Sequence, residues 1–289
     1  MIHLLALLGA LSISFSAVFV RLASVSPVTA TFYRAAYALP VLAALWIAGR
    51  SGDRRSSRER WLAAASGLSL AVDLDLWHES IALIGAGLGT VIPNTQVVFV
   101  ALLGWLVYGE RPTLRTGGLI VVILGGLALA SGLGRQDAYG ANPVVGVALG
   151  VAAGLCYAAF ILMFRASNRV RAPSAGPLLD ATLGMAIGAV FSIPFDPHFA
   201  WTPTWPAHAW LALMALVSQV IGWMLISRAL QQLPVVETSL MLMVQPVLAM
   251  LWGLALFDER LSGLQWLGSA IVLASVSTMA ARRRVSCIT

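Results

Sequence analysis

Gln96-Val97-Val98 … Tyr108-Gly109-Glu110-Arg111 returns 149 residues later as Gln245-Pro246-Val247 … Phe257-Asp258-Glu259-Arg260. The Gln, the Glu and the Arg keep their register, and each stretch is an apolar run closed by an acid–base pair. Upstream, Ser80-Ile81-Ala82-Leu83 matches Ser227-Arg228-Ala229-Leu230 after a two-residue gap. Weak duplication of a highly apolar chain is the pattern of carriers assembled from internal repeats.

The surrounding composition makes the bilayer the solvent. Hydrophobic residues are 59% of the 289, charged residues 10%, and the mean hydropathy is +0.87. A soluble domain of this size carries about 25% charged residues. The net charge of +6 comes from 18 arginines and no lysine. Most sit in short segments between apolar runs, where basic residues set topology rather than bind nucleic acid. No nucleic-acid partner is expected. Cys156 and Cys287 have neither metal spacing nor a disulfide pattern. Ile2–Val20 is too long for a signal-peptide core and has no basic segment before it, so it reads as a retained first span.

Crossing the hydrocarbon takes about 20 apolar residues. Ten runs qualify: 3–23, 28–48, 61–83, 87–108, 116–134, 143–164, 176–195, 207–227, 236–257 and 263–281. The expected fold is an all-α membrane protein of ten transmembrane helices in two inverted five-helix repeats, 1–134 and 143–284. Placing the N-terminus inside puts 14 arginines on that side, against Arg21, Arg135 and Arg260 outside, with Arg34 within the second span. The positive-inside rule then puts both termini in the cytoplasm of a bacterial inner membrane. Five spans per half is odd, so the halves have opposite orientation. Exchange of their conformations gives alternating access, with substrate near the midplane.

Tyr108-Gly109-Glu110-Arg111-Pro112 and Phe257-Asp258-Glu259-Arg260-Leu261, each ending one apolar helix and opening another, resemble the drug/metabolite transporter superfamily, EamA type. Gln245-Pro246-Val247 resembles that family's proline in the penultimate helix. Asp73-Leu74-Asp75-Leu76-Trp77-His78 is similar to a third-helix pattern in a branch that includes bacterial exporters of aromatic and related amino acids. The resemblance covers the whole chain and implies export of amino acids or related metabolites. Two positions depart from it. Val97 stands where the family has proline, with Pro93 one turn earlier, and Ile13-Ser14-Phe15-Ser16 replaces a Trp-Gly in the first span.

The third span is the anomaly, because it carries Asp73, Asp75, His78 and Glu79. Ionisable groups at membrane depth are costly and usually face a cavity or a partner. Asp75, His78 and Glu79 share a helix face by their spacing, and Asp73 shares one with Trp77. Arg34 enters the second span at the depth of Glu79, so an Arg34–Glu79 ion pair is one expectation. Otherwise Asp75, Glu79 and Arg34 are coupling groups for a proton gradient. Substrate-binding candidates are Asp73, Trp77, His78, Asn94, Gln96, Tyr157, Met163, Trp223 and Gln245, with Tyr37 and Met243 as further walls. Gln96 and Gln245 occupy equivalent places and could hydrogen-bond a zwitterion, or could only join helices. Pro93 and Pro246 are candidate gating hinges.

Several chemistries drop out. His78-Glu79 is followed by Ala82 where a zinc peptidase needs a second His. Asp73 and Asp75 point to different faces, which argues against an aspartyl dyad. Gly85-Ala86-Gly87-Leu88-Gly89 follows no strand and reads as a turn and helix start. No Walker motif exists, so no ATP-driven pump, cofactor or metal is expected. The alternatives are a nucleotide-sugar or drug carrier of the same superfamily, and an intramembrane lipid-modifying enzyme. Glu110 and Glu259 read as locks on helix ends. Gly150 and Gly154 allow close packing, in a monomer or a homodimer. Partners are a small-molecule substrate and membrane lipid.

Overall fold

The computed structural model describes residues 2–130, 142–168, 175–257 and 262–286, with backbone alone at 85–91, 143 and 278–286. Twelve helices are present among these residues. They are α1 (Ile2–Ala23), α2 (Pro27–Gly49), α3 (Ser57–Val91), α4 (Gln96–Tyr108), α5 (Leu114–Ala130), α6 (Pro143–Ser167), α7 (Ala175–Ser192), α8 (Trp205–Met214), α9 (Trp223–Gln232), α10 (Val235–Leu242), α11 (Val244–Phe257) and α12 (Gly263–Ser286). The fold is an all-α membrane protein of about ten spans. Six helical stretches are long and apolar enough to cross a bilayer, and 92–108, 114–130 and 263–277 are shorter apolar helices. α3, with its carboxylates, completes the set.

Local chemistry sets the ends. Ser26 caps α2 by accepting from Thr29 N at 3.3 Å, and Pro27 fills the first helical position, where no backbone donor is needed. Asn142 caps α6 in the same way, ahead of Pro143. α4 stops at Gly109, whose φ of 69° is left-handed and lets its N–H reach back to Trp105 O at 2.9 Å.

Three expectations about the spans change. The eighth is not a plain helix over 207–227. α8 runs into α9 through a π-helical segment, Ala215–Gly222. The ninth is broken at Met243, between α10 and α11. The fourth begins as a 3-10 turn, Ile92–Thr95, before α4. Pro93 lies in that turn and Pro246 in the first turn of α11, so each proline marks a break rather than a kink, because neither can supply the donor a continuous helix needs. The backbone of Gly85–Gly89 is helical rather than a separate turn. The chain nonetheless doubles back there. A methyl at Gly150 would lie 2.9 Å from both Ser80 Oγ and Ile92 Cγ2, whereas a straight helix would part those two residues by about 18 Å.

α3 packs along α6 and α7, and α1 packs along α8, α9 and α11. α2 meets α7, and α5 meets α12. With lipid outside, helices associate through close contact rather than through expulsion of water. Small residues permit it. A methyl at Gly67 would sit 1.6 Å from Ala181 O, and one at Gly184 would sit 1.8 Å from Ala64 O. Gly150 and Gly154 are spent inside the chain, against Ser80, Ile92 and Pro93. Asp258 to Leu261, Arg135, Arg169, Arg171 and Cys287 lie outside the described residues.

Candidate functional site

The helices enclose a cavity of about 710 Å³. Its wall draws on α1 to α6, the α8–α9 rod, α10, α11 and the start of α12. At one end the lining reaches Arg21, Pro27 and Gln265, all at helix ends on a single face. The face where α1 begins, termed the N-face, contributes no lining residue from its helix ends. The cavity therefore opens away from the N-face.

Of the residues singled out in the sequence, Arg34, Asp73, Trp77, His78, Pro93, Asn94, Gln96, Tyr157, Trp223, Gln245 and Pro246 line this cavity. Asp75, Glu79 and Met163 do not. Asp75 accepts a hydrogen bond from Ser192 of α7, and Glu79 is exposed on the bundle exterior. The face shared by Asp75, His78 and Glu79 is thus divided. The cavity stripe of α3 runs through Leu70, Asp73, Leu74 and Trp77 to His78, and its flank is covered by α7. Tyr37 bonds His208, away from the cavity.

The expected Arg34–Glu79 pair does not form. Arg34 Nε instead donates to Gln219 Oε1 at 2.7 Å, and Gln219 Nε2 donates to Thr182 Oγ1 at 3.0 Å. Gln219 sits in the π-helical segment, an irregularity frequent at functional sites. Sequence reasoning missed this residue. The available signal was a lone amide inside an apolar run. One turn on, Trp223 is 2% exposed, edge-on to Phe160 at 4.8 Å. Trp77 is tilted against His78 at 4.8 Å. Tyr157 stands within electrostatic reach of both Arg34 and Asp73.

Gln96 opens α4, and Gln245 is the second residue of α11. Both half-helices therefore direct their N-terminal ends, with spare backbone donors, at the cavity. Trp223 Nε1, Gln96 Oε1 and Gln245 Nε2 are buried without a hydrogen-bond partner among the described residues. The cavity is thus lined by ionisable and neutral polar residues among aromatic and aliphatic ones.

The N-face is sealed. Glu110 Oε1 lies 2.6 Å from Arg165 Nη2, and Glu110 Oε2 accepts from Val235 N at 3.0 Å, capping α10. Tyr108 OH donates to Leu162 O at 2.6 Å. Asn168 Nδ2 donates to Ser227 Oγ at 2.6 Å and accepts from Gln231 Nε2 at 2.8 Å. Beyond the spans on this face, the hydrogen bond from Arg55 holds the Asp53 carboxyl down at about 2, and Arg55 Nη1 also pairs with Asp180 Oδ2 at 2.9 Å.

Known proteins agree with this architecture. A crystal structure superposes with a TM-score of 0.77, covering 98% of each chain at 21% identity, which bears on the fold alone. The chain is 29% identical over 222 residues to the threonine/homoserine exporter RhtA of Salmonella typhimurium, covering 75% of this chain and 70% of that one. It is 24% identical over 223 residues to the uncharacterized transporter sll1319 of Synechocystis, covering 76% of this chain and 66% of that one. The model of the EamA-like transporter family matches twice, at residues 1–132 and 144–281. With nearly its whole length matched, the chain belongs to the EamA-like transporter family.

Proposed function

We infer that this protein is a secondary exporter of small amphiphilic metabolites, amino acids foremost, working by alternating access in a bacterial inner membrane. The carrying observation is a cavity open at one face and closed at the other by Glu110, which ties α4 to α6 and α10. A channel needs no such one-sided seal, and an enzyme has no use for it. The arginine–ring contact beside the seal has a counterpart on the open face. Arg165 lies over the Tyr108 ring at 4.9 Å on the N-face, and Arg21 lies over the Phe257 ring at 4.0 Å on the opposite face. Tyr108 and Phe257 are repeat mates in the register of Gln96 and Gln245. This supports inverted repeats over 1–134 and 143–284 that trade roles at each turnover.

The arginine bias supports a cytoplasmic N-face and cytoplasmic termini, so that this state faces outward. Similarity to a threonine/homoserine exporter supports amino acids as cargo. The reading needs no cofactor and no nucleic acid, and either a monomer or a homodimer can carry it out.

The test is uptake of a labelled amino-acid panel into liposomes holding purified protein, with and without a pH gradient. Saturable uptake above empty liposomes is expected, and the gradient arm separates facilitation from proton coupling. Folded protein that moves no member of the panel would remove amino acids as cargo.

A further inference from the structure

A guanidinium and a carboxyl group share the cavity without pairing. Arg34 is anchored through Nε to Gln219, and its two terminal nitrogens find no acceptor among the described residues. Asp73, 6% exposed, makes no hydrogen bond or ion pair with any described residue. No ion pair joins the two, although both line one cavity and Tyr157 stands near each. A pair serving only to hold helices together would close into contact, because separated charges at membrane depth are costly. The anchoring also aims the free edge of the guanidinium, a fork of parallel donors that fits a carboxylate. Around the two poles, Leu70, Leu74, Trp77 and Met214 form apolar wall.

We propose that Arg34 and Asp73 are the two poles of a zwitterion site, Arg34 receiving the carboxylate and Asp73 the ammonium of one free amino acid. The aromatic and aliphatic wall takes the side chain. The cargo is then any free amino acid with an uncharged side chain. Blocked peptides, organic cations and phosphorylated sugars each lack one of the two matching charges or add an unmatched one. This assignment rests on the exporter reading above and specifies what that site distinguishes.

The experiment measures ligand-induced thermal stabilisation of detergent-purified protein by L-phenylalanine, 3-phenyllactate (hydroxyl for ammonium) and phenethylamine (no carboxylate). In the wild type each analogue should need about tenfold to a hundredfold more ligand than phenylalanine. In Asp73→Asn, phenylalanine should weaken to the phenyllactate level while phenyllactate itself is unchanged. In Arg34→Gln, phenylalanine should weaken to the phenethylamine level while phenethylamine is unchanged. The unchanged analogue also shows that each variant is folded. Equal loss of all three ligands in either variant overturns the assignment, as does a wild type that takes either analogue as well as phenylalanine. A wild type that binds neither phenylalanine nor L-threonine overturns the exporter reading as well. Amino-acid binding with the variants still discriminating overturns the assignment alone.

Discussion

Arg165 Nη2 lies 2.6 Å from Glu110 Oε1, and the same guanidinium lies over the ring of Tyr108 at 4.9 Å. One arginine of α6 thus grips both the last residue of α4 and the acid just beyond it. Glu110 uses its second oxygen on the first N–H of α10. Three helices that must separate for the N-face to open are joined at one carboxylate.

Glu110→Gln should therefore shift the population toward N-face opening. Losing a charged, partly buried hydrogen-bonded pair is worth about 1–3 kcal/mol, a shift of roughly fivefold to 150-fold. A cysteine at Ser167, which is fully buried beside this seal, reports on it. In a background lacking Cys156 and Cys287, maleimide labelling at that site should speed up in Glu110→Gln. An unaltered rate would show that Glu110 does not hold the gate.

Gln219→Ala should leave the fold in place and weaken substrate binding about tenfold or more, because Arg34 loses the amide that orients it. Thr182→Val, which loosens only the far side of that amide, should have a smaller effect in the same direction. Half-saturation constants for uptake in proteoliposomes check the order. Equal values for Gln219→Ala and the wild type would show that Arg34 needs no support.

Gly67→Ala should strongly reduce folded protein. Its methyl would meet Ala181 O at 1.6 Å, a backbone atom that cannot swing aside. α3 and α7 must part, at a cost of about 1–3 kcal/mol or more. Gly118→Ala, with nothing within 4 Å of the added methyl, is the matched control and should be neutral. Melting temperatures in detergent decide it.

The Asp53–Arg55 cluster should stabilise the N-face at neutral pH and fail in acid. The carboxyl sits at about 2 in the folded protein, below its ordinary value near 3.9. A depressed pKa contributes stability above the unfolded value and loses it as pH falls through the folded one. The melting temperature should thus drop between about pH 4 and pH 2, and Asp53→Asn should lower it at neutral pH and flatten this part of the curve. A variant that follows the wild type throughout would show that the pair contributes nothing to folding.

Residues such as Gln96 and Gln245 were legible as cavity residues because duplication and polarity coincide in them. Asp73 and His78 were legible because a charged or titratable group is exceptional in an apolar span. Asp75 and Glu79 are equally exceptional in sequence, yet one is bonded by Ser192 and the other is exposed. Residues two and four positions apart differ in direction by amounts that only the helix's rotation against α6 and α7 resolves. Gln219 carries little signal, since one neutral amide in an apolar run satisfies itself in many ways.

The sequence alone determined that this chain lives in a bilayer, roughly where it crosses, and that its halves are related. Those properties depend on transfer of residues from water to hydrocarbon and on local repetition, both of which are read along the chain. Only the tertiary structure decided that Arg34 bonds an amide 185 positions away, that the fourth and ninth spans break ahead of Gln96 and Gln245, and that the N-face is the closed one. Those outcomes depend on how helices rotate and approach one another. Glycine contacts such as Gly67 with Ala181 set that approach between residues far apart in sequence.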